Sequence, residues 1–102
     1  MKVYVSGAIT GTSDYMERFE RAEKELSEKG FSVVNPAKVN AQLPEDTTYE
    51  EYMRMCFVML DMCDAIYMLK GWEKSCGANR ELGYAMAKNM VIMNLQEREK
   101  TV

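Results

Sequence analysis

Apolar residues along the chain fall into four short runs, separated by longer stretches in which they recur at helical spacing. The runs Lys2-Val-Tyr-Val-Ser6, Phe31-Ser-Val-Val34, Ala65-Ile-Tyr-Met-Leu69 and Met90-Val-Ile-Met93 read as strands. Between the first two, Met16, Phe19, Ala22 and Leu26 form the buried stripe of a helix from about Asp14 to Lys29, capped by Ser13 and ended by Gly30. Asn35-Pro36-Ala37 stops the second strand, because proline has no N–H for the ladder, and the polar segment from Lys38 to Asp46 reads as a loop. Thr47-x-x-Glu50 and Thr48-x-x-Glu51 both fit a capping box for a second long helix that extends to about Met62 or Cys63. A third runs from about Gly77 to Asn89. No repeat, low-complexity tract or linker interrupts the pattern, so residues 1–102 read as a single domain.

Strands that alternate with helices and are apolar throughout imply right-handed crossovers and a parallel sheet covered on both faces. The expected fold is α/β, a doubly wound, flavodoxin-like parallel sheet of order 2-1-3-4 with helices on both faces. Strands one and three are then neighbours at the switch point, beyond whose carboxyl ends ligands bind in such sheets. The turns at Gly7 to Ser13 and at Lys70 to Gly77 follow those two strands.

Composition narrows the functional classes. A chain of 102 residues with net charge -3 and no basic cluster lacks the lysine and arginine density that binds a nucleic acid polymer, so a small molecule is the expected partner. No apolar run reaches membrane-spanning length or resembles a secretory signal, which gives the expectation of no membrane association and a cytoplasmic location. Histidine is absent, which removes Ser-His-Asp triads and histidine-based metal sites; no metal or cofactor is implied. Cys56, Cys63 and Cys76 have neither zinc-site spacing nor an even count, and read as reduced thiols, the first two as packing residues. From Tyr52 to Cys63 only Arg54 and Asp61 are charged, while Met53, Met55, Phe57, Val58, Met59, Leu60 and Met62 spread around the cylinder. A helix of this kind is expected to pack on the sheet and on a second subunit, making a homo-oligomer.

The candidate chemistry centres on Ser75-Cys-Gly-Ala-Asn-Arg-Glu81-Leu-Gly-Tyr-Ala85. This turn enters a helix whose unpaired N–H groups and dipole suit an anionic group, with Glu81 facing whatever sits there. An acidic residue near a helix start also occurs for dipole reasons alone; the second small-residue turn, Gly7-Ala-Ile-Thr-Gly11-Thr-Ser13, is what points both to one crevice.

Tyr4-Val-Ser-Gly-Ala-Ile-Thr-Gly11 and Ser75-x-Gly-x-x-x-Glu81-Leu-Gly-Tyr-Ala85 resemble the nucleoside 2'-deoxyribosyltransferase superfamily, which includes 2'-deoxynucleoside 5'-monophosphate N-glycosidases. The stretch Cys63-Asp64-Ala-Ile-Tyr-Met-Leu-Lys-Gly-Trp72-Glu-x-Ser75-x-Gly-Ala is more similar still to small bacterial and phage relatives of those enzymes. The resemblance covers nearly the whole chain. It implies that Glu81 is the nucleophile of a retaining mechanism on the anomeric carbon, oriented by Tyr4. It also implies that Gly7, Ile9, Thr10, Gly11, Ser75 and Gly77 hold a 5'-phosphate.

The chain departs from that pattern in places. Cys56 stands where the superfamily has an aspartate that assists the leaving base, and a thiol is a poorer acid toward it. Asp64 is no substitute: it precedes strand three, and five strand residues at about 3.3 Å each leave it at the far end of the sheet. Glu73 is a candidate acid, or simply a solvated loop residue. Thr10 replaces the arginine of the glycosidase pattern, which removes a charge-assisted donor, while Ser75 replaces a carboxylate that would repel phosphate. Trp72 is a candidate wall against a base or else packs in the core, and Asn35 either reaches the ligand or serves an Asn-Pro turn. The expected activity is hydrolysis or transfer at the N-glycosidic bond of a 2'-deoxyribonucleoside or its 5'-monophosphate. The alternative is a non-catalytic nucleotide-binding module.

Overall fold

A computed structural model describes residues 1–95; the rest of the single domain expected over 1–102 lies outside the described residues. The strands are β1 (Lys2–Ser6), β2 (Ser32–Val34), β3 (Ala65–Met68) and β4 (Val91–Met93), and the helices are α1 (Tyr15–Glu28), α2 (Pro36–Asn40), α3 (Tyr49–Asp61) and α4 (Cys76–Ala87). All strand pairs are parallel and the order is β2-β1-β3-β4, a flavodoxin-like arrangement.

The register shows how two core layers arise from alternation. Val3 pairs with Ala65 and Val5 with Tyr67, on the face that α1 and α2 cover with Phe19, Ala22, Leu26 and Ala37. Tyr4 pairs with Ile66 and Ser6 with Met68, on the face covered by α3 and α4 through Cys56, Leu60, Ala78, Leu82 and Ala85. Successive strand residues point to opposite faces, so a continuous apolar run supplies both layers. Tyr4 and Ser6 therefore look toward α3 and α4, which places them beside Glu81.

The helix ends follow from local chemistry. Gly30, at φ +95°, closes α1 in a Schellman motif: its N–H donates to the Ser27 carbonyl and that of Phe31 to Leu26. Phe31 is thereby drawn out of β2 and packs in the same layer as Leu26. Asn89 takes the left-handed position after α4, with Met90 N–H donating to Ala85. Of the two possible capping boxes the protein uses Thr48 and Glu51, each accepting the other's backbone N–H.

Three local expectations change. Asp14, not Ser13, is the residue before α1, and its carboxylate accepts from Arg18 (3.3 Å) instead of capping the helix; Arg18 also donates to the Ala8 carbonyl (3.0 Å) and so ties the first turn to α1. The start of the segment read as loop is a helix, α2: Asn35 Oδ1 accepts from the Ala37 and Lys38 N–H groups and Pro36 sits at the first helical position. Glu23 of α1 then accepts from Asn35 Nδ2 (3.1 Å) and pairs with Lys38 (3.2 Å), holding α2 in place. A 3-10 turn, Trp72–Lys74, precedes α4.

On α3 the apolar residues divide. Met53, Cys56, Met59 and Leu60 are buried, Phe57 lies against Tyr84 with ring centroids 5.0 Å apart, and Met55, Val58 and Met62 form an exposed stripe. Among the described residues, no helix is long and apolar enough to cross a membrane.

Candidate functional site

Glu81 stands in the second turn of α4 yet is only 6 % exposed, because that turn lies against the carboxyl half of β1. Oε2 accepts from the Tyr4 hydroxyl at 2.7 Å and Oε1 from the Ser6 hydroxyl at 2.7 Å. Both carboxylate oxygens are thus oriented by donors fixed on one central strand. Alternation makes this possible, since Tyr4 and Ser6 are two residues apart and share a face.

The Cys56 thiol completes the surround beside Glu81 and Tyr4, and its Sγ accepts from Asn40 Nδ2 at 3.6 Å. Burial pushes the Glu81 carboxyl above its usual range; the Ser6 and Tyr4 hydroxyls, the Cys56 thiol and the Arg80 charge work against that rise. Burial and then the Glu81 charge push the Cys56 thiol up, so it remains a neutral thiol beside the carboxylate. The same two causes raise Tyr4 well above the usual phenol value, so its hydroxyl keeps its proton and donates it.

Glu81 forms part of the wall of a cleft of about 720 Å³ between the turn after β1, α2, α3 and the start of α4. Gly7, Ile9 and Thr10 line it from one side, and Ser75, Cys76 and Gly77 from the other. Gly7 is required: a Cβ there would lie 2.8 Å from the Leu69 side chain, so only glycine lets the turn cross the end of β3. At Gly77 a Cβ would make only ordinary contacts, 3.4 Å from Met53 Sδ and 3.6 Å from the Tyr49 hydroxyl. Ser75 Oγ accepts from the Ala78 N–H (3.1 Å) as the cap of α4.

Of the residues singled out from sequence, Glu81, Gly7, Ile9, Thr10, Ser75, Gly77 and Cys56 come together on this cleft, with Tyr4 directly behind Glu81. Five others stand elsewhere. Trp72 is 2 % exposed in the core layer beneath α3 and α4, because the 3-10 turn folds the indole inward, so it forms no wall for a base. Glu73 is exposed and off the cleft, with its carbonyl accepting from Asn79 Nδ2. Asn35 is occupied in capping α2, and Gly11, at φ +83°, turns the chain away beyond Thr10. Asp64 lies at the amino end of the sheet, where it accepts from the Lys2 N–H at 2.9 Å.

Several residues of the site and its cleft are not marked by the sequence pattern. Ser6 was legible in principle from the two-residue period that pairs it with Tyr4. Asn40 was hidden by the loop assignment of α2, although Asn-Pro is a cap followed by a favoured first helical residue. Lys74, Tyr49, Tyr52 and Glu45 also line the cleft, and no local spacing marks them. Among the described residues, Glu45 and Glu81 are the two carboxylates that line it. Among the described residues there is no group of three or more His, Cys, Asp or Glu side chains that could hold a metal ion.

Fold and cleft together define a flavodoxin-like α/β domain with one buried, doubly hydrogen-bonded carboxylate at the switch point of its sheet. The chain belongs to the family described as Domain of unknown function (DUF4406), whose profile matches residues 1–94. No curated protein matches it.

Proposed function

We propose that the cleft binds a 2'-deoxyribonucleoside or its 5'-monophosphate and cleaves or transfers its N-glycosidic bond, with Glu81 as nucleophile. The observation that carries this is the holding of Glu81, buried at the cleft, with one donor on each oxygen. A carboxylate serving only the helix dipole gains nothing from burial, and two fixed hydroxyls orient its lone pairs for attack on a single carbon.

In the first step a Glu81 oxygen bonds to the anomeric carbon, the carbon–nitrogen bond breaks, and its electron pair leaves with the base, which takes up a proton. In the second step water, or another base, attacks the same carbon, the ester bond breaks and the Glu81 carboxylate is restored. Glu45, the other carboxylate on the cleft wall, is the proposed proton donor to the base in place of Glu73. The turn of Gly7, Ile9 and Thr10 and the α4 start at Ser75 and Gly77 supply the anion side, with Lys74 as the cation on the cleft wall.

One observation favours a second reading, a nucleotide-binding module without turnover: the group beside Glu81 on α3 is a neutral thiol, Cys56, where an acid would assist departure of the base. Incubation with a panel of 2'-deoxynucleosides and their 5'-monophosphates, followed by chromatographic detection of free base, tests the first reading. Release of base supports it; binding without release selects the second.

We also propose that the exposed stripe of Met55, Val58 and Met62 on α3 packs against a second copy of the chain. Val58, at 61 % exposure, is the position to change; Met59, at 7 %, belongs to the core, and its replacement by glutamate disturbs folding instead. Sedimentation is expected to show a dimer that Val58→Glu dissociates, and a monomeric wild type at micromolar concentration overturns the proposal.

A further inference from the structure

Asn40 is the last residue of α2 and lines the cleft. Its Nδ2 donates to Cys56 Sγ, the thiol that lies beside Glu81. With the amide nitrogen on the sulfur, Asn40 Oδ1, a buried carbonyl oxygen, is left with no hydrogen-bond partner. Buried acceptors in folded proteins are nearly always satisfied. This oxygen is enclosed in the wall of the ligand-free cleft, and rotation about the soft terminal torsion of the asparagine would turn it into the cleft, where a donor on a ligand replaces the long Nδ2–Sγ contact.

We propose that Asn40 is the residue by which this cleft selects its ligand, and that the ligand is a heterocyclic base derivative presenting an N–H group to Asn40 Oδ1. The proposal rests on the nucleoside or nucleotide reading of the cleft and adds the base chemistry to it. Position supports the assignment. The base is one bond from the carbon that Glu81 would attack, and Asn40 is separated from Glu81 by a single thiol. The anion side, by contrast, is formed by the β1 turn and the start of α4. Pro36, Leu43, Tyr52 and Met53 give the cleft apolar surface for a flat ring.

The test compares ligand pairs that differ only in the donor, measured by calorimetry with carbocyclic 2'-deoxynucleotides, which bind without turnover. The pairs are adenine against unsubstituted purine, cytosine against pyrimidin-2-one, and thymine against N3-methylthymine. At least one donor-bearing base is expected to bind roughly tenfold or more tightly than its counterpart, since a missing partner leaves the carbonyl unpaired. In Asn40→Ala that ratio is expected to fall to about one, and Asn40→Ser serves if the alanine variant does not fold. A purely structural role for Asn40 would weaken both members of a pair alike and leave the ratio intact. Equal binding within every pair in the wild type, preference for the members without a donor, or an unchanged ratio in the variants overturns the role of Asn40 while the cleft reading stands. Failure of every nucleotide to bind the wild type overturns the cleft reading, and this proposal with it.

Discussion

Two carboxylates mark the opposite ends of the central strand pair, and their surroundings differ in every respect that matters for chemistry. Asp64, at the amino end, is exposed and accepts from the Lys2 N–H, while its own N–H donates to the Lys2 carbonyl and its carbonyl accepts from Val91. It joins strand starts. Glu81, at the carboxyl end, is buried, raised above its usual range and held on both oxygens by hydroxyls. Burial of an ionisable group disfavours its charged form, and a fold retains such a group only where other contacts hold it or where function uses it. One carboxylate is a fastening and the other is a poised reactive group.

The largest expected effect separates these two directly. Glu81→Gln removes the nucleophile and is expected to lower turnover by about a thousandfold or more. Asp64→Asn keeps an acceptor for the Lys2 N–H and leaves turnover within about twofold. Glutamine is the informative replacement at Glu81, because alanine would leave a cavity and deprive two buried hydroxyls of their acceptor, costing about 1–3 kcal/mol in stability. Comparable losses of turnover in both variants would erase the distinction.

A pair of glycines sharpens the contrast between the two ends of the sheet. Gly7, in the cleft turn, leaves no space for a Cβ, which would lie 2.8 Å from Leu69, so Gly7→Ala is expected to cost about 1–3 kcal/mol and to impair ligand binding as the turn shifts. Gly30, at the end of α1, has open space around it and only its positive φ at stake. Gly30→Ala is expected to cost about 1 kcal/mol with binding unchanged. Chemical denaturation and calorimetry measure both variants.

A smaller effect appears in the pH profile. Turnover needs Glu81 as carboxylate, so activity is expected to fall as pH drops through its raised value, at higher pH than for an ordinary glutamate. Stability moves the other way for this group. The native state holds the proton more tightly than the unfolded chain, so the penalty for burying the charge is fully present above the raised value and is relieved as pH falls through it. Loss of activity on acidification through that value should therefore occur with the fold intact, as circular dichroism would show. Ser6→Ala removes a hydroxyl that favours the carboxylate, so the acid limb is expected to move further up; a limb that stays in place would show that Ser6 does not govern Glu81.

The strand order and the meeting of two turns at one cleft were legible because four apolar runs and parallel crossovers leave few topologies. What was not legible depended on short-range geometry. The five residues of α2 are too few to show helical periodicity, so Asn40 was read as loop and its place on the cleft wall was lost. Trp72 follows a strand, a place that suits either a wall against a base or core packing, and the three-residue turn that folds the indole inward decides for the core. Glu81 was read as standing in the first turns of its helix, but the depth to which it is buried depends on how closely α4 lies on β1, which no local pattern encodes.

The central claim, that the carboxylate at the carboxyl end is the nucleophile, is tested most directly by trapping. Incubation with a 2'-fluoro-arabinosyl substrate analogue slows breakdown of the glycosyl ester, and mass spectrometry of proteolytic fragments then locates the attached sugar. The account predicts a covalent adduct on Glu81 that is absent from Glu81→Gln. An adduct on Cys76, or hydrolysis that continues undiminished in Glu81→Gln, would contradict it.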